Sequence, residues 1–259
     1  MDLGLQERFA IVTASSAGLG YACAAQLAAA GATVVVNGRD AGTLEQAAAR
    51  IRRRTGAEVI AVPGDVSDAA VQQALVDAVP QVDILVNNNG GPPFRDFRQV
   101  DRDALFAGVT ANMATPIELV QRVVDGMIAR RFGRIVNITS FSVKMPIAGL
   151  DLSSGARAGL TGFLAGVARD VAHANVTINF MMPGYFATDR LRSLHAREAA
   201  DRGVPAETVS AEGAERIPAG RFGDPEEFGA ACAFLCSQQA GYITGQSLLI
   251  DGGAYPGIL

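Results

Sequence analysis

The sequence predicts an α/β fold, a doubly wound sheet of seven parallel strands with helices on both faces. Three observations predict it. Short β-branched apolar runs alternate with helical patterns along the whole chain. No linker, internal repeat or low-complexity block breaks the alternation. The apolar residues are mostly Ala, Val, Leu and Ile, which suits buried strands flanked by tightly packed helices.

The elements follow in order. "FAIVTA" (9–14) is a strand, and "GLGYACAAQLAAAGA" after it has a helical Ala/Leu pattern that stops at Gly31. "TVVVNG" is the second strand and "AGTLEQAAARIRRR" the second helix. "EVIAVPGDV" and "VDILVNNNG" are strands three and four, with the helix "AAVQQALVDAV" between them. After a Pro-rich loop (residues 91–94), a long helical region runs to about Arg131. "GRIVNITS" is strand five, "SSGARAGLTGFLAGVARDVAH" a helix, "NVTINFMMPG" strand six and "SLLIDGG" (247–253) the last strand. Together they form one Rossmann-type domain spanning residues 1–259. The charged stretch at about 189–216, broken by Gly203 and Pro205, reads as an insertion. It is either a flap over the strand ends or a solvated helix pair.

Composition excludes several functions. A net charge of -4 and a pI near 5.3 give no surface for nucleic acid or an anionic membrane. The short basic run "RIRRRTG" falls at a helix C-terminus, where cations favour the macrodipole. Cys23, Cys232 and Cys236 lack metal-ligand spacing and read as buried, reduced thiols, which points to a cytoplasmic protein. The N-terminus carries acids (Asp2, Glu7) and enters an apolar strand at once, so no signal peptide is expected, and no apolar run reaches membrane-span length.

In a doubly wound sheet, ligands bind beyond the carboxyl ends of the strands. Those ends carry "TASSAGLG", "NGRD", "GDV", "NNNG", "ITS" and "MPGY". "TASSAGLG" (13–20) follows a strand and opens a helix, the context in which a glycine pattern cradles a pyrophosphate. Gly18 and Gly20 permit close backbone approach, and Ser15 and Ser16 offer hydroxyl donors. Thr13 and Leu19 complete the candidate turn.

Eighteen residues after Gly20, Gly38 stands where an NAD site places an acid, and Arg39 follows. Arg39 can pair with a 2′-phosphate, which favours NADP(H) over NAD(H), or it can sit at the surface beside Asp40. Asp65, with Val66, can meet the adenine amino group or cap the next helix.

These motifs resemble the short-chain dehydrogenase/reductase family, and within it the β-ketoacyl-carrier-protein reductases, over nearly the whole chain. "TASSAGLG" is similar to the family's Thr-Gly-x-x-x-Gly-x-Gly, with Ala14 for the first glycine. "NNNG" (87–90) is similar to Asn-Asn-Ala-Gly, with Asn89 for alanine. "GRIVNITS", "MPGYFATD" and the region from "GRFGDPEE" to "LLIDGG" match its fifth strand, its loop after strand six and its C-terminus. The resemblance implies that Asn112 supports a proton-relay water and that Ser140 orients a substrate carbonyl. It places Pro183, Gly184 and Thr188 around the nicotinamide and Asn88, Asn89 and Gly90 near its ribose. It also implies a homotetramer or homodimer, built through helices around 100–130 and 153–172 and through the last strand.

The family's tyrosine lies thirteen residues after that serine and its lysine four further on. Here those positions hold Ser153 and Arg157. An aliphatic hydroxyl is a far weaker acid than a phenol of pKa near ~10, and a guanidinium cannot relay a proton. Ser153 and Arg157 are therefore expected to meet substrate and ribose rather than to supply the proton.

Three readings follow. The chain is an NADP(H)-dependent reductase of a small, 3-oxoacyl-like carbonyl compound, or dehydrogenase of the alcohol, with Lys144, Tyr185 or an Asn112-bound water completing the proton path. Or it is a dinucleotide-binding sensor or partner subunit without turnover. Or it does non-redox chemistry of the lyase or dehalogenase kind. Halohydrin dehalogenases also carry Arg at the lysine position, but they keep the tyrosine and lose the dinucleotide loop, which this chain retains.

Overall fold

The computed structural model describes residues 2–92 and 94–257; Met1, Ile258 and Leu259 of the expected domain, and Pro93 of the expected loop, lie outside them. Seven strands form one parallel sheet: β1 (Phe9–Val12), β2 (Thr33–Gly38), β3 (Val59–Pro63), β4 (Ile84–Asn87), β5 (Gly133–Ile138), β6 (Val176–Pro183) and β7 (Ser247–Ile250). Their order is β3-β2-β1-β4-β5-β6-β7. The order reverses between β1 and β4, where Ile11 pairs with Leu85 and Val12 with Val86. Chains leave these two strands in opposite directions there, so a crevice opens above their carboxyl ends.

Successive strand residues serve opposite cores. Ala10 and Val12 pack on one face with α1 (Gly18–Ala29), α2 (Ala41–Thr55) and α9 (Pro225–Leu235). Ile11 and Val35 pack on the other, against α3 (Ala69–Asp77), α5 (Thr115–Arg130) and α6 (Asp151–Val171). This period of two, with both faces covered, is why the strands read as unbroken apolar runs. Helices α1 and α9 approach so closely that a Cβ on Gly229 would stand 2.5 Å from the Ala22 carbonyl oxygen. Cys23, Cys232 and Cys236 lie buried and free along that contact, their thiols hydrogen-bonded in series and those of Cys232 and Cys236 pushed up in pKa.

The long helical region expected up to about Arg131 has a defect. Helix α4 (Arg102–Val109) passes into α5 through a π-turn, Thr110–Ala114, which widens the backbone around Asn112. The charged insertion is a helix pair, α7 (Asp189–Arg202) and α8 (Ala206–Glu215), parted by Gly203 in the left-handed conformation and Pro205. Arg202 ties the pair by ion pairs to Glu198 (3.0 Å) and Glu212 (2.8 Å). Among the described residues no helix is long and apolar enough to cross a membrane.

Candidate active site

The first turn after β1 is shaped by backbone geometry. Ala14 takes a left-handed conformation, φ 44°, unusual for a residue with a Cβ. Asn37 Oδ1 accepts its N–H (3.2 Å) and Asn88 Nδ2 donates to its carbonyl (2.9 Å). Gly20 closes the turn: a Cβ there would stand 2.6 Å from both Ala14 O and Asn88 Nδ2. Helix α1 starts after Ala17 with no side-chain cap and no acid in its first turn, so its leading N–H groups face the crevice uncapped.

Thr13 and Ser15 do not present their hydroxyls to a ligand. Thr13 Oγ1 donates to Asn88 O (2.7 Å) and accepts from Asn88 N (2.9 Å), and Ser15 Oγ donates to Val12 O (2.7 Å) and accepts from Asn37 N (3.0 Å). Both residues are buried and clamp β1 to its neighbours, because the turn's backbone leaves groups that only these short hydroxyls reach. Donor capacity at the turn falls to Ser16 and the backbone N–H groups of Gly18 and Leu19. Ser16 also packs beside Gly38, where a Cβ would lie 3.2 Å from its hydroxyl. A side chain at the position where an NAD site places its acid would thus crowd this corner.

Arg39 lies exposed next to it and has no ion pair among the described residues. Asp40, the neighbour that could have neutralised it, instead caps α2 by accepting the Thr43 N–H (2.7 Å). Asp65 is exposed and does not cap α3, whose N-cap is Asp68; it accepts Ser67 N (2.9 Å) and shapes the preceding turn. Val66 is buried in the core below.

A cleft of about 410 Å³ runs from this turn along the strand ends. Gly18, Leu19, Asn88, Asn89 and Gly90 line one end. Ser140, Ser153, Pro183, Gly184, Tyr185 and Thr188 line the other. Gly184 must be glycine, since a Cβ would stand 2.7 Å from that of Asp251. Thr188 caps α7 through Leu191 N (3.4 Å), so α7 starts at the cleft wall.

Ser140 Oγ accepts the Ser142 N–H (3.1 Å), which leaves its O–H free to donate into the cleft. Arg157 lies just beneath, 7% exposed. Its Nε donates to Ser153 Oγ (3.1 Å), Nη1 to Ile138 O (2.5 Å) and Nη2 to Asn89 O (3.2 Å). Burial, helped by the nearby charge of Arg190, pushes its pKa down to about 10, so it stays a cation at neutral pH.

Asn112 is buried behind this group; its Nδ2 donates to Gly108 O at 3.4 Å, and its Oδ1 has no protein partner among the described residues. Asn89 ties the loop to the π-turn by donating to Ala111 O (2.5 Å).

Of the two other side chains considered as proton donors, the structure brings only Tyr185 to the cleft. Its ring packs edge-on against Phe141 at 5.1 Å, and burial raises its pKa against the pull of Arg216. Lys144, the chain's single lysine, is exposed and points over the Tyr255 ring, 5.7 Å away. Sequence reasoning missed Asn37, which also donates to Val62 O and Gly64 O, and the apolar wall of Phe94, Phe141, Ile147 and Leu150. Nothing in "VVVNG" marks Asn37 as an organiser. The wall residues could have been sought in the loops that follow strands four and five.

The family model described as enoyl-(acyl carrier protein) reductase matches residues 13–255. The chain belongs to the short-chain dehydrogenase/reductase family. It is 32% identical to the 3-oxoacyl-[acyl-carrier-protein] reductase FabG of Aquifex aeolicus (strain VF5) over 98% of this chain and 100% of the relative. Among solved structures of this oxidoreductase family, it superposes on the L-sorbose reductase of Gluconobacter frateurii complexed with NADPH and L-sorbose. The TM-score is 0.95 at 28% identity, with 100% of both chains covered. It also superposes on YwfH, an NADPH-dependent reductase involved in bacilysin biosynthesis. There the TM-score is 0.91 at 30% identity, covering 98% of this chain and 100% of that one.

Proposed function

We propose that the chain is an NADP(H)-dependent reductase of a small, 3-oxoacyl-like carbonyl compound whose proton path does not use a Tyr–Lys pair. One observation carries the reading: a single cleft joins the uncapped start of α1 to Ser140 and Tyr185. The site fits a dinucleotide, with free helix N–H groups, a glycine that admits no Cβ, and an unpaired arginine at the tip of β2. NADPH bound there would supply a hydride. Ser16 and the N–H groups of Gly18 and Leu19 would hold the pyrophosphate and Arg39 the 2′-phosphate, with Asp65 and Val66 nearest the adenine. Asn88, Asn89, Gly90, Pro183, Gly184 and Thr188 would line the nicotinamide end.

In this reading Ser140 donates to the carbonyl oxygen. Ser153 adds a second hydroxyl, whose oxygen is held by Arg157 so that its proton turns outward. Arg157, cationic and fixed by three neutral acceptors, orients the floor and does not pass a proton. Tyr185, a partly exposed phenol whose pKa is raised by its partial burial, is the donor at the cleft wall. The NADPH in the sorbose reductase complex and the names of the 3-oxoacyl reductases support the cofactor and substrate class.

Single-turnover mixing of the NADPH complex with small β-keto esters tests the reading. Hydride transfer is expected, slowed and altered in pH profile by Tyr185→Phe. Tight NADPH binding with no transfer to any carbonyl compound would instead support the sensor reading.

Assembly as a homotetramer or homodimer belongs to the same proposal. Leu105, Phe106 and Phe163 are exposed on α4 and α6, and Cβ atoms at Gly155 and Gly162 would meet nothing within 4 Å. These are open, apolar, close-packing faces. Sedimentation is expected to give an oligomer at micromolar concentration, and a monomer would end that part of the proposal.

A further inference from the structure

The charge of the cleft is unbalanced. Among its described lining residues Asp189 and Arg190 carry the charges, and Asp189 pairs with Arg192 outside the cleft. Arg190 has no carboxylate partner among the described residues. Among the described residues its one hydrogen bond is a long one to Pro92 O (3.5 Å), with its Nη atoms 2.9 Å from where a Cβ on Gly91 would stand. Under the floor, Arg157 holds a second positive charge against three uncharged acceptors, Ser153 Oγ, Ile138 O and Asn89 O.

The loop from Asn89 to Pro92 therefore runs from one guanidinium to the other. Each charge feels the other, since Arg190 is one of the causes that lower the pKa of Arg157. The remaining wall is largely apolar: Phe94, Phe141, Ile147, Leu150 and Leu194, with the ring of Tyr185. Arg190 is solvent-exposed at the cleft edge, and together with the buried Arg157 and the apolar wall it gives the cleft a field that favours an anion.

We propose that the substrate joins an apolar body to its own carboxylate, and that Arg190 is the partner of that carboxylate. A guanidinium beside an apolar wall suits a carboxylate near the reacting carbonyl. The phosphate of a phosphopantetheine thioester would lie many bonds from its carbonyl. As a statement of substrate class, the inference rests on the reductase reading above. Asn89, Gly90 and Ser140 at the same cleft would set where the carbonyl sits relative to that anchor.

The test pairs benzoylformate, benzoylpropionate and benzoylbutyrate with their methyl esters. Binding is read by calorimetry on the free protein and on its NADP⁺ complex, and turnover separately as NADPH consumption. At least one acid is expected to bind about tenfold or more tighter than its ester, the scale of a charge-assisted pair. In Arg190→Gln that ratio should shrink to within about twofold.

Equal binding of acids and esters by the native protein would overturn the proposal. So would an Arg190→Gln variant that weakens NADP⁺ binding yet keeps the acid-to-ester ratio. If Arg190→Gln instead removes a preference for acetoacetyl phosphopantetheine over acetoacetyl pantetheine and leaves the keto acids untouched, the arginine reads a phosphate and the proposal also falls. Acid-selective binding without turnover would uphold the carboxylate site while ending the reductase reading. Turnover without acid selectivity would do the reverse.

Discussion

At the turn after β1, Ala14 stands where the family has glycine, yet the backbone adopts φ 44° as glycine would, and Gly20, Asn37 and Asn88 hold it there. At the start of α6, Ser153 and Arg157 stand where the family has tyrosine and lysine. The helix is again intact, but the side chains now do something else: a guanidinium is locked onto Ile138 O and Asn89 O. The first region binds through main-chain groups, so a side-chain change costs it only strain. The second acts through side-chain protons, so the same kind of change alters its chemistry.

Restoring the pair is the strongest way to break this comparison. Ser153→Tyr with Arg157→Lys should raise carbonyl turnover about 100-fold, the lower range for a positioned general acid. Stopped-flow NADPH oxidation reads the rate, with circular dichroism to confirm folding. An unchanged rate would mean that the chemistry does not depend on these two side chains.

A smaller effect separates backbone from side chain within the dinucleotide region. Arg39→Ala should weaken NADPH binding about tenfold and NADH binding hardly at all, the difference being one charge-assisted pair with a 2′-phosphate. Equal losses by calorimetry would remove that role from Arg39.

The smallest effect sharpens the claim that Ala14 is merely strained. Ala14→Gly should stabilise the fold by about 1 kcal/mol, because a left-handed alanine costs roughly that much relative to glycine. A denaturant midpoint that stays put or falls would show that the neighbouring hydrogen bonds already absorb the cost.

Several site residues were legible because motifs sit at fixed places on parallel strands. "TASSAGLG" and "NNNG" follow β1 and β4, and the sheet order brings those two strands side by side. Ser140, thirteen residues before Ser153, reaches the same cleft because β5 ends beside α6. What hydroxyls do was not legible. Thr13 and Ser15 have the composition of phosphate donors, but their burial turns them into clamps between strands. Nor could spacing tell Lys144 from Tyr185 as a cleft residue, since both follow strand ends and only loop packing separates them.

The sequence by itself determined the seven-stranded parallel sheet, its helices and the placement of the glycine turn, because hydrophobic periodicity and local backbone sterics act over neighbouring residues. Tertiary structure alone decided which charges are paired. Among the described residues, Asp40 caps a helix and leaves Arg39 without an ion pair, Asp189 turns to Arg192 and leaves Arg190 facing the cleft, and Arg157 is buried with neutral partners only. Ion pairing depends on distances across the fold and on what water is excluded, and neither quantity is written in residue order.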